Sequence, residues 1–134
     1  MLFLVSLTVL GATWLLWSLD LLRAIAKRYT ISQALAWHYL AGRSEPVVPP
    51  AVLITTVSLI AGVAALLSGV VVLALFYVEL FAGTSNDALL MKNITFFFGH
   101  TLVNLTMYLG VALVYEVLPD YAGRPWKTNR IVAI

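Results

Sequence analysis

The sequence predicts an all-α integral membrane protein with three transmembrane helices, and three observations predict it. Of its 134 residues, 62% fall in the hydrophobic set and only 10% are charged, with a mean hydropathy of +0.98. Soluble globular domains carry roughly a quarter charged residues. Three stretches, 1–19, 46–78 and 94–115, contain no Asp, Glu, Lys or Arg; a ~30 Å hydrocarbon layer needs about 20 apolar residues per helix. The basic residues are also lopsided: Arg23, Lys27, Arg28 and Arg43 lie in the first connection and Arg124, Lys127 and Arg130 in the tail, leaving only Lys92 in the second connection. The composition excludes a soluble domain, a disordered chain and a nucleic-acid binder. With no cysteine in the chain, disulfides, thiolate metal sites and cysteine nucleophiles are excluded too.

The first span is expected over 1–22. No basic residue precedes its apolar run and no small-residue cleavage site follows it; Asp20, Arg23, Lys27 and Arg28 do, which favours a retained helix over a signal peptide. In the connection 23–49, Ile31, Leu35 and Trp37 among polar residues suit a helix lying in the interface. Pro46, Pro49 and Pro50 mark an irregular entry to the second span, which begins near Pro50 as a first-turn proline and ends around Ala82 and Gly83, over 50–82. Its small residues Ala61, Ala65 and Gly69 recur every four positions and invite a neighbouring helix. The loop 83–93 opens with Gly-Thr-Ser-Asn-Asp, where Asn86 and Asp87 suit the cap of a short helix leading into Phe96. The third span is expected over 94–118, with a tail over 119–134. By the positive-inside bias the connection 23–49 and the tail are cytoplasmic, and the N-terminus and the loop 83–93 external. Trp37, Tyr39, Tyr121 and Trp126 fall beside the basic segments, at the headgroup level that amphipathic rings prefer.

An ionisable group inside a span is a functional candidate. Asp20, Glu79 and Glu116 lie close enough to span ends to reach water, and His38, within Trp-His-Tyr, reads as an interface anchor. His100 differs, lying about two turns into an otherwise apolar helix after Phe96, Phe97, Phe98 and Gly99. A neutral imidazole there can ligate a metal or make an inter-helix hydrogen bond, and the residue types leave both readings open. At about 100° per residue, Asn104, Tyr108, Val111 and Tyr115 project within roughly 80° of His100. One face therefore carries a polar ladder suited to proton transfer through bound water. Gly99 leaves room beside His100 for a planar group or another helix.

The segment 96–134, FFFGHTLVNLTMYLGVALVYEVLPDYAGRPWKTNRIVAI, resembles the sixth transmembrane helix of the catalytic subunit of haem-copper oxygen reductases, the B-type branch of the cytochrome c oxidase family in particular. The likeness is carried by the aromatic run before Gly99-His100, by Tyr115 near the helix end, by Leu118-Pro119 closing it and by the basic tail. The two preceding spans agree with the fourth and fifth helices in order and direction. The resemblance implies that His100 is a ligand of the copper in the binuclear haem-copper centre. The other copper ligands and the histidines that hold haem lie on further helices of a bundle of twelve or more, so the chain is expected to be part of a longer subunit. Tyr115 matches a tyrosine of the B-type proton path from the cytoplasm, with Tyr108 on the same face. One position departs from the family: Asn104 stands where the A- and B-type branches have a tyrosine joined to the copper histidine and nitric oxide-reducing relatives have a glutamate.

The function implied is reduction of dioxygen to water with electrons from cytochrome c or a similar donor, coupled to proton pumping across a bacterial or archaeal plasma membrane. The implied partners are the remaining helices of the subunit, oxidase subunit II, the electron donor and membrane lipid, with no nucleic acid. Two other classes compete: a small accessory or assembly protein that binds no metal, and a proton-coupled transporter fragment using the His100–Tyr115 ladder.

Overall fold

The computed structural model describes residues 1–42 and 48–124. Three long helices dominate: α1 (Leu2–Arg28), α4 (Pro50–Ala82) and α5 (Ala88–Tyr121), with two single-turn helices, α2 (Ile31–Ala34) and α3 (Trp37–Leu40), between the first two. All three long helices are long and apolar enough to cross a membrane, so the protein is all-α with three spans. At 1.5 Å per residue they run about 40 to 50 Å, beyond the ~30 Å hydrocarbon layer, and polar residues collect in the surplus turns. Pro46, Arg43, Trp126, Lys127 and Arg130, used in the sequence reading, lie outside the described residues.

Local chemistry sets the helix ends. Pro50 opens α4 at a position where its missing N–H is not needed. Gly83 closes it in the left-handed conformation at φ 67°, its N–H donating to the Glu79 carbonyl at 3.1 Å. Asp87 caps α5, its carboxylate accepting from the Leu90 N–H at 2.6 Å. That cap begins the third long helix itself, not a separate short one. α5 starts at Ala88 and passes unbroken through Lys92 and Asn93, because polarity there lowers hydropathy without supplying a helix breaker. The loop expected over 83–93 is thereby reduced to 83–87. At its far end α5 continues through Pro119 to Tyr121 instead of closing at Leu118-Pro119. A proline costs the helix its own N–H, and the turn beyond is kept by N–H groups of Ala122 on the Leu118 carbonyl (2.9 Å) and Arg124 on the Pro119 carbonyl (3.0 Å). α1 likewise runs on past 22 to Arg28, with Lys27 and Arg28 in its last turn, where cations favour the helix dipole.

The connection after α1 is two single turns and not one interfacial helix. Thr30 and Gln33 form a reciprocal capping box for α2. The chain then breaks at Ala36, held in the left-handed region at φ 56°, which costs a non-glycine residue about 1 kcal/mol. This kink turns Ala34, Ala36 and His38 inward and leaves Ile31, Trp37 and Leu40 exposed.

α4 is the shared partner. α5 packs along it extensively, α1 packs on it less, and α1 and α5 make no comparable contact with each other. The helices therefore form an open arc, with Arg23, Lys27, Arg28 and Arg124 at one end and Lys92 at the other. Each seam is keyed by an aromatic ring on a glycine. The Trp14 ring lies against Gly62, and Phe98 against Gly69, where a Cβ would stand 2.8 Å from the ring. Of the expected stripe, Ala65 and Gly69 are buried, and the Trp14 ring of α1 is received at Gly62, one residue beyond Ala61. Near the end opposite the basic cluster, the Thr8 hydroxyl donates to the Leu4 carbonyl at 2.8 Å, which leaves the Tyr77 hydroxyl to donate to Thr8 Oγ1 at 3.2 Å and tie α4 to α1. The buried hydroxyls of Ser18 and Thr56 donate to carbonyls four residues back, at 2.8 and 2.6 Å, and so are satisfied within their own helices.

Candidate functional site on the outer side of α5

α5 has a packed side and an uncovered side. Met91, Leu105 and Ala112 are buried, and Phe98, half-buried, lies against Gly69 of α4; the four recur every seven residues, and seven steps of 100° return almost to the same azimuth, so they form the line that meets α4. His100 follows Phe98 by two residues, which places it about 160° round the helix. It is exposed, and its ring stacks on Phe96 with centroids 5.0 Å apart and planes 11° apart. Among the described residues, no hydrogen bond reaches its ring nitrogens.

The structure places Asn104, Tyr108 and Tyr115 on the same helix, successively further from His100. Asn104 is half-buried, and both tyrosines are exposed. The step from His100 to Asn104 and from Asn104 to Tyr108 is about 6 Å along the axis. That exceeds hydrogen-bonding distance, so a proton moving along this face needs water or side chains of other helices between the rungs. Gly99 has no atom from elsewhere in the fold within 4 Å of where a Cβ would stand.

The donor set decides what this face can hold alone. No group of three or more His, Cys, Asp or Glu side chains occurs among the described residues. One imidazole supplies one bond, whereas a copper site needs several in fixed geometry. The described residues therefore do not by themselves supply the donor set of a copper centre.

Asp20 and Glu79 are engaged elsewhere. Asp20 accepts from Arg23 at 3.3 Å on the surface. Glu79, exposed, accepts from the Asn86 amide at 2.8 Å, and that amide also donates to the Leu75 carbonyl at 2.9 Å, pinning the loop 83–87 back onto α4. Glu116 is exposed near the basic end of α5. His38 corrects the sequence reading. The expected interface anchor is buried, 1% exposed, its ring tilted by 37° against Tyr39 with centroids 4.1 Å apart and Nδ1 3.4 Å from the Ser32 carbonyl. Since a carbonyl only accepts, Nδ1 carries the proton in that bond, and Nε2 has no hydrogen-bond partner among the described residues. The left-handed turn at Ala36 makes this burial, and alternation of polar and aromatic residues in the sequence gave no sign of it.

No family model, no curated protein and no solved structure matches this chain.

Proposed function

We propose that the chain is part of the catalytic subunit of a terminal haem-copper oxidase. This enzyme reduces dioxygen to water with electrons from cytochrome c or a similar donor, coupled to proton pumping across a bacterial or archaeal plasma membrane. The reading starts from the resemblance over 96–134. The observation that supports it is the azimuth of His100, about 160° away from the line of α5 that meets α4, with its ring nitrogens unbonded among the described residues. An imidazole so placed is available to groups on helices outside this chain, as a ligand shared with them must be.

In this reading His100 is one copper ligand, with the remaining ligands and the haem histidines on other helices of the same subunit. The copper, when bound, supplies dioxygen binding and electron transfer at the haem. The chain's own residues do the rest. Phe96 stacks on the imidazole and limits its rotation. Asn104, with an amide in place of a phenol, holds a proton on nitrogen and gives up no electron, so either the redox-active tyrosine comes from another helix or the chemistry is altered. Tyr108 and Tyr115 offer hydroxyls that hand protons toward the centre from the basic, cytoplasmic end. Subunit II, the electron donor and lipid are the other partners.

The test is to isolate, through a tag on this chain, the membrane complex that contains it, and to record its reduced-minus-oxidised spectrum and copper content. Low-spin and high-spin haem with copper are expected. His100→Ala should remove the copper while the low-spin haem keeps its normal reduced spectrum. A complex without haem, or copper retained in full by His100→Ala, overturns the reading.

A further inference from the structure

Beyond the polar face of α5, the basic end of the protein carries an apolar surface that is exposed among the described residues. Ile31, Trp37 and Leu40 are 70%, 55% and 71% exposed. They belong to α2 and α3, in which Ala34 and His38 are buried, as is Ala36 between the two turns. The segment is therefore two-sided and fixed. A reciprocal capping box holds its start, the buried His38 ring lies against the tilted ring of Tyr39, and α2 touches both α1 and α4. It follows directly on the last turn of a membrane-spanning helix, and that turn carries Lys27 and Arg28. Arg23, one turn further back, is engaged with Asp20. Lys27 and Arg28 have no acidic partner among the described residues.

We propose that α2 and α3 form a membrane-surface foot. Ile31, Trp37 and Leu40 insert into the interfacial layer of the bilayer, and Lys27 and Arg28 bind the headgroups of anionic phospholipid beside them. The physical case is the pairing of two features at one level of the molecule. Exposed aliphatic and indole side chains gain by entering the headgroup and acyl boundary, and adjacent cations gain from negative lipid. A water-facing segment would leave three large apolar side chains hydrated. The charge argues for lipid over a protein partner, since two unpaired cations flank the apolar patch and the membrane is already at this end of α1. The proposal is independent of the oxidase reading, because it uses only the three spans and the position of α2 and α3.

The test exploits the absence of cysteine from the chain. Single cysteines at Ile31, Trp37 and Leu40 carry a nitroxide in the full chain, reconstituted into vesicles of phosphatidylcholine alone or of equal parts phosphatidylcholine and phosphatidylglycerol. Labels at Val70, exposed within the second span, and Ser85, exposed in the loop, set the buried-in-lipid and in-water limits. The expected result is that all three foot labels collide with oxygen more than with an aqueous nickel complex in the anionic vesicles, toward the Val70 limit. The double variant Lys27→Gln, Arg28→Gln should lower that preference severalfold in anionic vesicles and leave it unchanged in neutral ones. Nickel accessibility like that of Ser85 overturns the proposal, as does shielding from both reagents, which would mean a protein covers the patch. Equal depth in the two lipids overturns the assignment to anionic headgroups. The labelled side chains are exposed, so the fold does not depend on them, and circular dichroism of each variant checks that helicity is kept.

Discussion

The two sides of α5 differ in what they touch and in what they carry. One meets α4 with apolar residues at seven-residue intervals and seats Phe98 on Gly69. The other carries His100, Asn104, Tyr108 and Tyr115, of which His100 and the two tyrosines are exposed among the described residues. In a membrane the first side is stabilised by close packing, since lipid offers no hydrophobic drive between helices, while the second keeps polar groups that lipid does not satisfy. The difference teaches that one helix can be finished on one side and unfinished on the other. What finishes it is a question of assembly, not of the fold of α5.

The comparison can be broken most directly at its packed side. Phe98→Ala should cost about 3 kcal/mol of helix association, the scale of a large-to-small change at a tight contact; unfolding of the chain in mixed micelles, followed by circular dichroism, would measure it. A loss no larger than that of an exposed residue would remove Phe98 from the seam. Next come the glycines. Gly69→Ala, whose methyl would stand within 3 Å of Phe98, and Gly62→Ala, whose methyl would meet Trp14, should each cost about 1–3 kcal/mol by overpacking, the first loosening α5 and the second α1. Cross-linking between neighbouring helices separates the two effects. Tyr77→Phe removes the hydroxyl bonded to Thr8, and about 0.6 kcal/mol is expected from an inter-helix hydrogen bond in a membrane. The smallest effects belong to the uncovered side. Gly99→Ala and His100→Ala should change the stability of the chain alone by no more than about 0.5 kcal/mol, because among the described residues no atom from elsewhere in the fold lies within 4 Å of where a Gly99 Cβ would stand and no hydrogen bond reaches the exposed His100 ring. A large loss there would mean that the uncovered side is already packed.

Much of this was legible in the sequence because it is local chemistry. Charge-free runs announced the three spans, Pro50 and Gly83 announced the limits of the second, and Asp87 announced a cap. What escaped depends on pairing in space. The i, i+4 stripe through Ala61 pointed beside Gly62, since which small residue receives a ring depends on where Trp14 lies on a different helix. Lys92 and Asn93 hid the first turn of α5 because hydropathy falls there while the backbone has no reason to stop. His38 could not be placed from its neighbours, because its burial follows from one left-handed alanine. For the polar side of α5, the azimuth of His100 relative to Asn104, Tyr108 and Tyr115 was readable from helical periodicity; which side α4 would occupy was not.

The central position of α4 also has a consequence for biosynthesis. Chains emerge N-terminal end first, and membrane helices insert before they associate. Within this chain α4 therefore enters the bilayer after α1 and before α5, and α5 arrives when its docking line, with Gly69 on it, already exists. The seam at Gly62 can close before the seam at Gly69, and a pause in translation after α4 lengthens the period in which the groove that receives Phe98 stands open to lipid.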